Sequence, residues 1–253
     1  MNKLIIKNLT IKYSETILLD NCSCEISSGE VVLIEGKNGT GKTTLIKTIL
    51  GIDRNMRETK GMISFSIINK NITEMNDSEL LNLRSQIAYL EQKDYYDNNP
   101  FETVFDVLAD SYKDYYKKNK LTLEDKQLIE KIFIKYKPID SNFNFKTKVS
   151  KLSGGQQRLL SIISSICIRK ESKLFIIDEP LNNLDVNTVV KVSNILNSIM
   201  KENKEAMFII VSHCKIFPFI TKVLEIKDNK LLSSSKNICH TCYGEPDEEG
   251  YYG

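Results

Sequence analysis

Hydrophobic residues along this chain occur in short runs, and these runs alternate with segments whose apolar positions have helical spacing. The four consecutive apolar residues at 174–177 are typical of a strand buried on both faces of a parallel sheet. Residues 30–35 and 206–211 predict two further short buried strands. The pattern therefore predicts an α/β fold built on a parallel sheet.

Additional strands and helices are predicted around this sheet. We expect strands at 4–9, 17–26, 61–67 and 87–90, and a hairpin formed by 222–227 and 230–232 around Asp228 and Asn229. We expect helices at 44–50, which Gly51 would end, and at 78–84. Two more helices are predicted by apolar positions at helical spacing, namely Leu159, Leu160, Ile162, Ile163 and Ile166, and then Val189, Val192, Leu196 and Ile199.

The segment from 97 to 149 differs from its flanks because its pattern is helical. Residues 101–110 and 122–136 predict two helices, and Thr122 with Asp125 has the sequence of a capping box. The inward face of the second helix is predicted to hold Leu128, Ile129, Ile132, Phe133 and Tyr136. We therefore predict a helical insertion between two parts of an α/β core.

Composition narrows the class of protein. The 253 residues are 41% hydrophobic, which is enough for a sizeable core, and the formal net charge is only +2. We interpret the aromatic and basic residues at 112–120 as a solvated helix face rather than a nucleic-acid patch, and we expect no nucleic-acid partner. The chain has no run of 18 apolar residues, and charge appears too early for a signal peptide, so we expect a cytoplasmic protein with six reduced cysteines. Cys22 and Cys24 are interpreted as small buried apolar side chains rather than metal ligands.

Residues 36–43 carry the most specific chemistry. They match G-x-x-x-x-G-K-[ST], the phosphate-binding loop, and they lie between a predicted strand and a predicted helix, which is the context that this motif needs. Glycines let backbone N–H groups surround a phosphate, and the start of the helix adds a positive dipole end. Lys42 would reach the outer phosphates, and the Thr43 hydroxyl would ligate Mg²⁺.

Three further motifs follow along the chain. A second glycine loop, Leu152-Ser153-Gly154-Gly155-Gln156, opens a helix and predicts a second anion site. Asp178 and Glu179 lie at the carboxyl end of a buried strand, where ligands bind in open α/β sheets. Another buried strand ends at Ser212-His213.

Taken together, these motifs resemble those of the ATP-binding cassette ATPases, specifically the nucleotide-binding subunits of transporters. The resemblance covers roughly residues 1–232. It implies a P-loop NTPase (RecA-like) core with an antiparallel β subdomain and an inserted α-helical subdomain. The implied divisions are a discontinuous core of 1–96 and 150–232, a helical subdomain of 97–149 and a C-terminal tail of 233–253.

The resemblance also implies a role for each motif residue. ATP would be held by the phosphate loop, which comprises Gly36, Lys37, Asn38, Gly39, Thr40, Gly41, Lys42, Thr43 and Thr44. Tyr13 would stack on adenine, with a core or surface aromatic as the alternative. Thr43 and Gln92 would contact Mg²⁺ directly, and Asp178 would hold it directly or through water. Glu179 would polarise the attacking water, and His213 would touch the γ-phosphate.

The same resemblance implies that two copies act together. Ser153, Gly154, Gly155 and Gln156 would cap the nucleotide bound by a second copy, and Asp185 would lie at the contact between the two subunits. A head-to-tail pair gives a use to two anion sites on one chain. We therefore expect an ATP-hydrolysing subunit that forms a homodimer, or pairs with a related ATPase subunit, around two ATP molecules. It would drive transport through a separate integral membrane permease and lie at the inner face of the cell membrane.

Some alternatives stay open. A soluble assembly ATPase, like those of iron–sulfur-cluster assembly, is the runner-up, whereas DNA-repair and translation proteins of this family carry long coiled coils or two cassettes. Leu181 stands where the family usually has a small polar residue, and Cys214 stands where an acid is common. The tail sequence Cys239-His240-Thr241-Cys242 is half a zinc site by ligand count, and we favour a loose tail with free thiols.

Overall fold

A computed structural model describes residues 2–93, 102–139, 142–212, 217 and 219–234. His213, Cys214 and the cysteine-containing tail lie outside the described residues. None of the described helices has the length and apolar character that a membrane crossing would need.

The described chain contains nine strands and six α-helices. The strands are β1 (Lys3–Tyr13), β2 (Thr16–Ser27), β3 (Val31–Glu35), β4 (Glu58–Phe65), β5 (Ile87–Leu90), β6 (Leu174–Asp178), β7 (Met207–Val211), β8 (Lys222–Lys227) and β9 (Lys230–Ser234). The helices are α1 (Lys42–Ile49), α2 (Asp77–Ser85), α3 (Val104–Tyr116), α4 (Leu123–Tyr136), α5 (Gly154–Ile162) and α6 (Val186–Glu202).

A six-stranded sheet forms the centre of the fold, in the order β5-β6-β7-β3-β8-β9. Its first five strands are parallel, and β9 is antiparallel to β8. Alternate residues of β3 pack on opposite faces, with Val31 and Leu33 in one buried cluster and Val32 and Ile34 in the other. Both faces are therefore covered, as the uninterrupted apolar runs predict.

A second sheet has the order β2-β1-β4 and is antiparallel throughout. Its apolar residues, including Leu4, Ile6 and Phe65, share one buried cluster with α1 and with one face of the central sheet. Mixed parallel and antiparallel sheets with helices on them confirm the predicted fold class. The predicted strands at 4–9, 17–26 and 61–67 are also present, although each has different bounds.

Local sequence signals explain several of the element ends. Gly51, at φ 63°, lets the N–H groups of Gly51 and Ile52 close α1 onto the carbonyls of Thr48 and Lys47, as in a Schellman motif. The predicted hairpin turns at Asp228 and Asn229, which have φ values of 48° and 60°. Positive φ angles at both central residues are typical of a two-residue type I′ hairpin turn.

The helices between β5 and α5 differ in part from the prediction. The first runs over Val104–Tyr116 rather than 101–110, because Thr103 and Asp106 form a capping box that sets its start. Tyr112 is 3% exposed, and its hydroxyl donates to Asp125 at 3.1 Å, so the aromatic run is not simply a solvated face. On α4, Leu128 is exposed and is not part of the predicted inward face, whereas the other four residues are buried.

These helices contact the end of α5, which continues through a π turn at Ile163–Cys167. Ser111 donates its hydroxyl to the carbonyl of Ser164 at 2.6 Å, and Arg169 pairs with Asp114 on the same side. Because a π turn frees a backbone carbonyl from its usual helical partner, it provides an acceptor for the helix packed against it. The division into a core at 1–96 and 150–232, a helical subdomain at 97–149 and a tail at 233–253 stays a prediction.

Candidate active site

The phosphate loop connects β3 to α1 and lies at the carboxyl edge of the central sheet. Gly39 and Gly41 have φ values of 82° and 100°, which side chains with a Cβ rarely adopt. A Cβ on Gly36 would approach the carbonyl of Ile226 and the hydroxyl of Thr40 to 2.8 Å. Glycine is therefore needed at these three positions for the backbone to follow this path.

The Lys42 side chain is folded back across the loop. It is only 8% exposed, and its ammonium donates to the carbonyls of Gly36 at 2.7 Å and Lys37 at 3.2 Å. Gly41 is the N-cap of α1, so the free N–H groups of the first turn begin at the same place. A positive charge and a helix N-terminus thus converge on one loop, which is an arrangement suited to an oligophosphate.

The loop is joined to the acidic pair by Thr43. Its hydroxyl donates to Asp178 Oδ2 at 3.0 Å. Asp178 is the last residue of β6, and β7 lies between β6 and β3 in the sheet. The bond therefore joins the segment after β3 to the end of β6, across the intervening β7. Residues that are 135 positions apart are brought together at a single edge of the sheet.

The carboxyl group of Asp178 fits a divalent cation. Asp178 is fully buried, its Oδ1 has no hydrogen-bond partner in the described structure, and burial raises its pKa to about 6. An unpartnered buried carboxylate oxygen beside a hydroxyl is costly unless a ligand compensates it. Hard oxygen donors of these two types are the ligands that Mg²⁺ prefers in proteins.

Glu179 follows directly and has an unusual backbone. Its φ is 46°, in the left-handed region, and the residue is only 8% exposed. Its N–H donates to the carbonyl of Val211 at the end of β7, at 2.8 Å. Adjacent side chains of a strand point to opposite faces of the sheet. Because β6 ends at Asp178 and the chain turns at Glu179, this alternation does not apply to the two carboxylates.

The second glycine loop begins α5. Ser153 Oγ accepts from the N–H of Gln156 at 3.3 Å, and Gln156 Oε1 accepts from the N–H of Ser153 at 3.0 Å, which is a complete capping box. The hydrogen bonds of these two side chains in the described structure are made within the loop, not to the phosphate loop. These two side chains therefore cap the start of α5.

Gly155 packs against the start of α6. A Cβ at Gly155 would lie 2.9 Å from Thr188 Oγ1, and that hydroxyl donates to Asp185 Oδ2 at 2.7 Å. Asp185 also caps α6 by accepting from the N–H of Thr188 at 3.0 Å, and these bonds lower the pKa of its carboxyl. Gly155 and Asp185 are therefore linked through one threonine.

Arg158 is a residue of this site that the sequence reasoning missed. It lies on α5, is 3% exposed, and donates to the backbone carbonyls of Glu91, Asp178, Glu179 and Pro180. Its sequence signal is weak: it is one charged residue midway along a helix, followed by Leu159 and Leu160. These four acceptors are backbone atoms, which no motif reveals.

The other predicted site residues differ in how far they are exposed to solvent. Tyr13, at the end of β1, is 50% exposed, which removes the core alternative and leaves adenine stacking or a surface aromatic. Gln92 is exposed just beyond β5, and Leu181 is buried in the core. Exposed positions within the loop are Lys37, Asn38 and Gly39, and those of intermediate exposure are Gly36, Thr40, Gly41, Thr43 and Thr44. His213 lies outside the described residues.

A phosphate loop between β3 and α1, facing an acidic pair at the end of β6, defines an ATPase of the P-loop class. The family model described as ABC transporter matches residues 19–182. The chain therefore belongs to the ABC transporter family, as one of its ATP-binding ATPases.

Individual relatives agree with this family. A probable ABC transporter ATP-binding protein, p29 of Mesomycoplasma hyorhinis, is 33% identical over 94% of both chains. The xylose import ATP-binding protein XylG of Histophilus somni is 27% identical over 91% of this chain, which spans only 44% of that protein. Among solved structures, a dimeric ATP-binding cassette in a post-hydrolysis state with ADP and Pi matches with a TM-score of 0.75 and 22% identity, covering 91% of this chain and 97% of the other.

Proposed function

We propose that this chain binds MgATP between its phosphate loop and its acidic pair and hydrolyses it to drive transport through a membrane permease. The observation that carries the proposal is the 3.0 Å hydrogen bond from Thr43 to the fully buried Asp178, with Lys42 and Glu179 as their immediate neighbours. One short contact thus joins a phosphate site, a cation site and a candidate base.

Phosphoryl transfer depends mainly on positioning and on charge stabilisation. Lys42 and the N-terminus of α1 would hold the β- and γ-phosphates, because both present positive charge at the loop. Bound Mg²⁺ would neutralise charge on the phosphate oxygens. Thr43, Asp178 and Gln92 are the residues that would hold it, and Thr43 and Asp178 already lie within hydrogen-bond distance.

Glu179 would accept a proton from the attacking water. Its turn supports this role because it separates the Glu179 side chain from β6 while Asp178 stays at the cation site. His213 would contact the γ-phosphate, and Tyr13 would stack on the adenine. The exposure of Tyr13 leaves its ring accessible to a base.

We further propose that two copies, or this chain and a related ATPase subunit, enclose two nucleotides. The loop of Ser153, Gly154, Gly155 and Gln156 would cap the nucleotide of the partner, with Asp185 at the contact between subunits. Gly154 supports this because it is exposed and a Cβ there would meet nothing within 4 Å, which leaves its N–H approachable. The similar cassette with ADP and Pi is described as dimeric.

The permease would dock in a groove of about 580 Å³ between the β5 edge of the sheet and α3. The groove reaches Glu91, next to Gln92, so a helix bound there would touch the segment that we assign to the cation site. Its walls include Leu81, Tyr89, Val107, Ser111 and Ser164. The relatives named as transporter and import ATP-binding proteins favour a permease over a soluble assembly system as the partner. Such a partner would place the chain at the inner face of the cell membrane.

Glu179→Gln tests the hydrolytic role. The variant should bind ATP and trap the dimer, while hydrolysis falls by at least about 10²-fold because the proton acceptor is lost. ATPase assays and size-exclusion chromatography with ATP measure both properties. Glu205→Gln, at an exposed position before β7, is the matched control. Full activity of Glu179→Gln would disprove the role.

A second experiment tests the groove. Leu81 is 59% exposed on the groove wall, and Leu123 is 71% exposed at the start of α4. In cells, Leu81→Glu should reduce the membrane-bound fraction of the protein, since a buried charge in the interface is costly. Leu123→Glu should leave that fraction unchanged. Equal membrane association of the two variants would contradict docking in this groove, and the absence of a membrane-bound fraction in the unmutated protein would argue for a soluble partner.

A further inference from the structure

Arg158 is a buried charged side chain of the site for which the proposed hydrolysis gives no role. It is 3% exposed, and its guanidinium donates to four backbone carbonyls on two separate segments. The distances from the guanidinium nitrogens to the carbonyl oxygens are 2.8 Å for Glu91, 3.2 Å for Asp178, 2.9 Å for Glu179 and 3.1 Å for Pro180. The side chain thus connects α5, the segment after β5 and the turn after β6.

The turn at Glu179 needs such support. A residue with a Cβ at φ 46° is in an unfavourable conformation, and it persists only when surrounding contacts determine it. The N–H of Glu179 is fixed by the carbonyl of Val211. Its carbonyl is fixed by Arg158 Nη2, and the next carbonyl, that of Pro180, is fixed by Arg158 Nε.

We propose that Arg158 is a positioning residue for hydrolysis. It holds the Glu179 peptide in its left-handed conformation and ties it to the segment that carries Gln92. This inference rests on the proposed role of Glu179 as the group that polarises water. Arg158 does not touch the reacting atoms; it sets the direction in which the Glu179 carboxylate points and its separation from the Gln92 segment.

Only a guanidinium meets this geometry. Arginine presents five N–H donors in a planar fork, whereas lysine has three donors on one atom. An ammonium at this position would satisfy some of the four carbonyls and leave the others buried without a donor. Arg158→Lys therefore keeps the charge and loses the simultaneous hold on both segments.

The test compares Arg158→Lys with Arg54→Lys. Arg54 also donates to two backbone carbonyls, those of Met75 at 2.6 Å and Thr73 at 2.9 Å, outside the site. Arg158→Lys should lower kcat by about 10²-fold, because small displacements of a catalytic group cost that much, while ATP affinity is unchanged. Arg54→Lys should change neither. An unchanged kcat in folded Arg158→Lys would overturn the proposal.

A double variant separates positioning from general damage. If Arg158 acts through Glu179, adding Arg158→Lys to Glu179→Gln should not lower the residual single-turnover rate further, since the two groups act as a unit. A further fall equal to that of Arg158→Lys alone would overturn the proposal. If Glu179→Gln is itself fully active, the proposed function fails, and this inference fails with it.

Folding is checked by circular dichroism and thermal unfolding. If Arg158→Lys does not fold, Arg158→Gln replaces it, because the amide keeps two donors without the charge. A folded Arg158→Gln with reduced kcat and normal ATP affinity supports the proposal. Failure of both variants to fold would assign Arg158 to global stability and overturn it.

Discussion

Two helices of this chain begin at glycine loops, and the loops differ in how their backbone N–H groups are used. The N-cap of α1 is Gly41, which offers no side-chain cap, and Lys42 folds over the loop. The N-cap of α5 is Ser153, whose hydroxyl forms a capping box with Gln156. The first helix end is therefore open in an isolated chain, while the second is partly satisfied by its own side chains.

From this difference we infer different tasks for the two loops. An anion at α1 finds unused N–H donors, the helix dipole and the Lys42 ammonium together. An anion at α5 finds the dipole and the exposed Gly154, beside Ser153 and Gln156, whose side chains already bond within the loop. We infer that the first loop supplies most of the ATP affinity and that the second contributes only when another subunit presents its nucleotide.

The largest expected effect is that of Lys42→Ala. Removing this ammonium should reduce hydrolysis by about 10²–10³-fold, because one charge-stabilising donor is worth that much, and it should also weaken ATP binding. Fluorescent-nucleotide titration and an ATPase assay measure the two. Lys47→Ala is the control on the same helix, since Lys47 pairs with Asp53 at 2.8 Å outside the loop. Normal ATP affinity in Lys42→Ala would contradict the inference that the first loop supplies most of the ATP affinity.

A smaller but more selective effect is expected of Ser153→Arg. The long side chain should obstruct the approach of the partner's nucleotide, so that ATP-dependent dimerisation and hydrolysis both fall by about tenfold or more. ATP affinity of the monomer should be unchanged, because Ser153 makes its contacts within its own loop. Light scattering with ATP and nucleotide titration distinguish the two properties. If monomer affinity falls as far as in Lys42→Ala, the tasks of the loops are not separate.

Much of this fold and site could be predicted from the sequence because the signals are local. Buried parallel strands appear as unbroken apolar runs, and the phosphate loop needs its glycines at fixed spacing. The hairpin at Asp228 and Asn229 follows from residues that tolerate positive φ. The order of these motifs along the chain then indicated the family.

What the sequence did not reveal depends on contacts between distant segments. The four carbonyl partners of Arg158 lie 20 to 67 positions away, and backbone atoms leave no trace in residue type. The hydroxyl of buried Tyr112 is satisfied by a hydrogen bond that Asp125, on the next helix, accepts. The exposed Leu128 shows that helical spacing alone does not fix the width of a buried face.

The smallest expected effects are on protein stability, when a glycine of either loop is replaced by alanine. Gly39 is required by its φ of 82° and has open space around it, whereas Gly155 is required by the closeness of Thr188. Alanine at Gly39 should cost about 1–2 kcal/mol of stability through backbone strain. Alanine at Gly155 should cost about 1 kcal/mol net, since overpacking outweighs the gain in helix propensity.

Thr188→Ala distinguishes these two causes. It removes both the hydroxyl and the methyl group that a Cβ at Gly155 would meet at 2.9 and 3.2 Å. In that background, Gly155→Ala should cost nothing or stabilise the protein, because only the helix propensity remains. Gly39→Ala should cost as much as before, since backbone strain has no side-chain partner. Urea unfolding of the three single variants and of the two double variants that contain Thr188→Ala measures the coupling. An undiminished cost at Gly155 would mean that packing on α6 does not select this glycine.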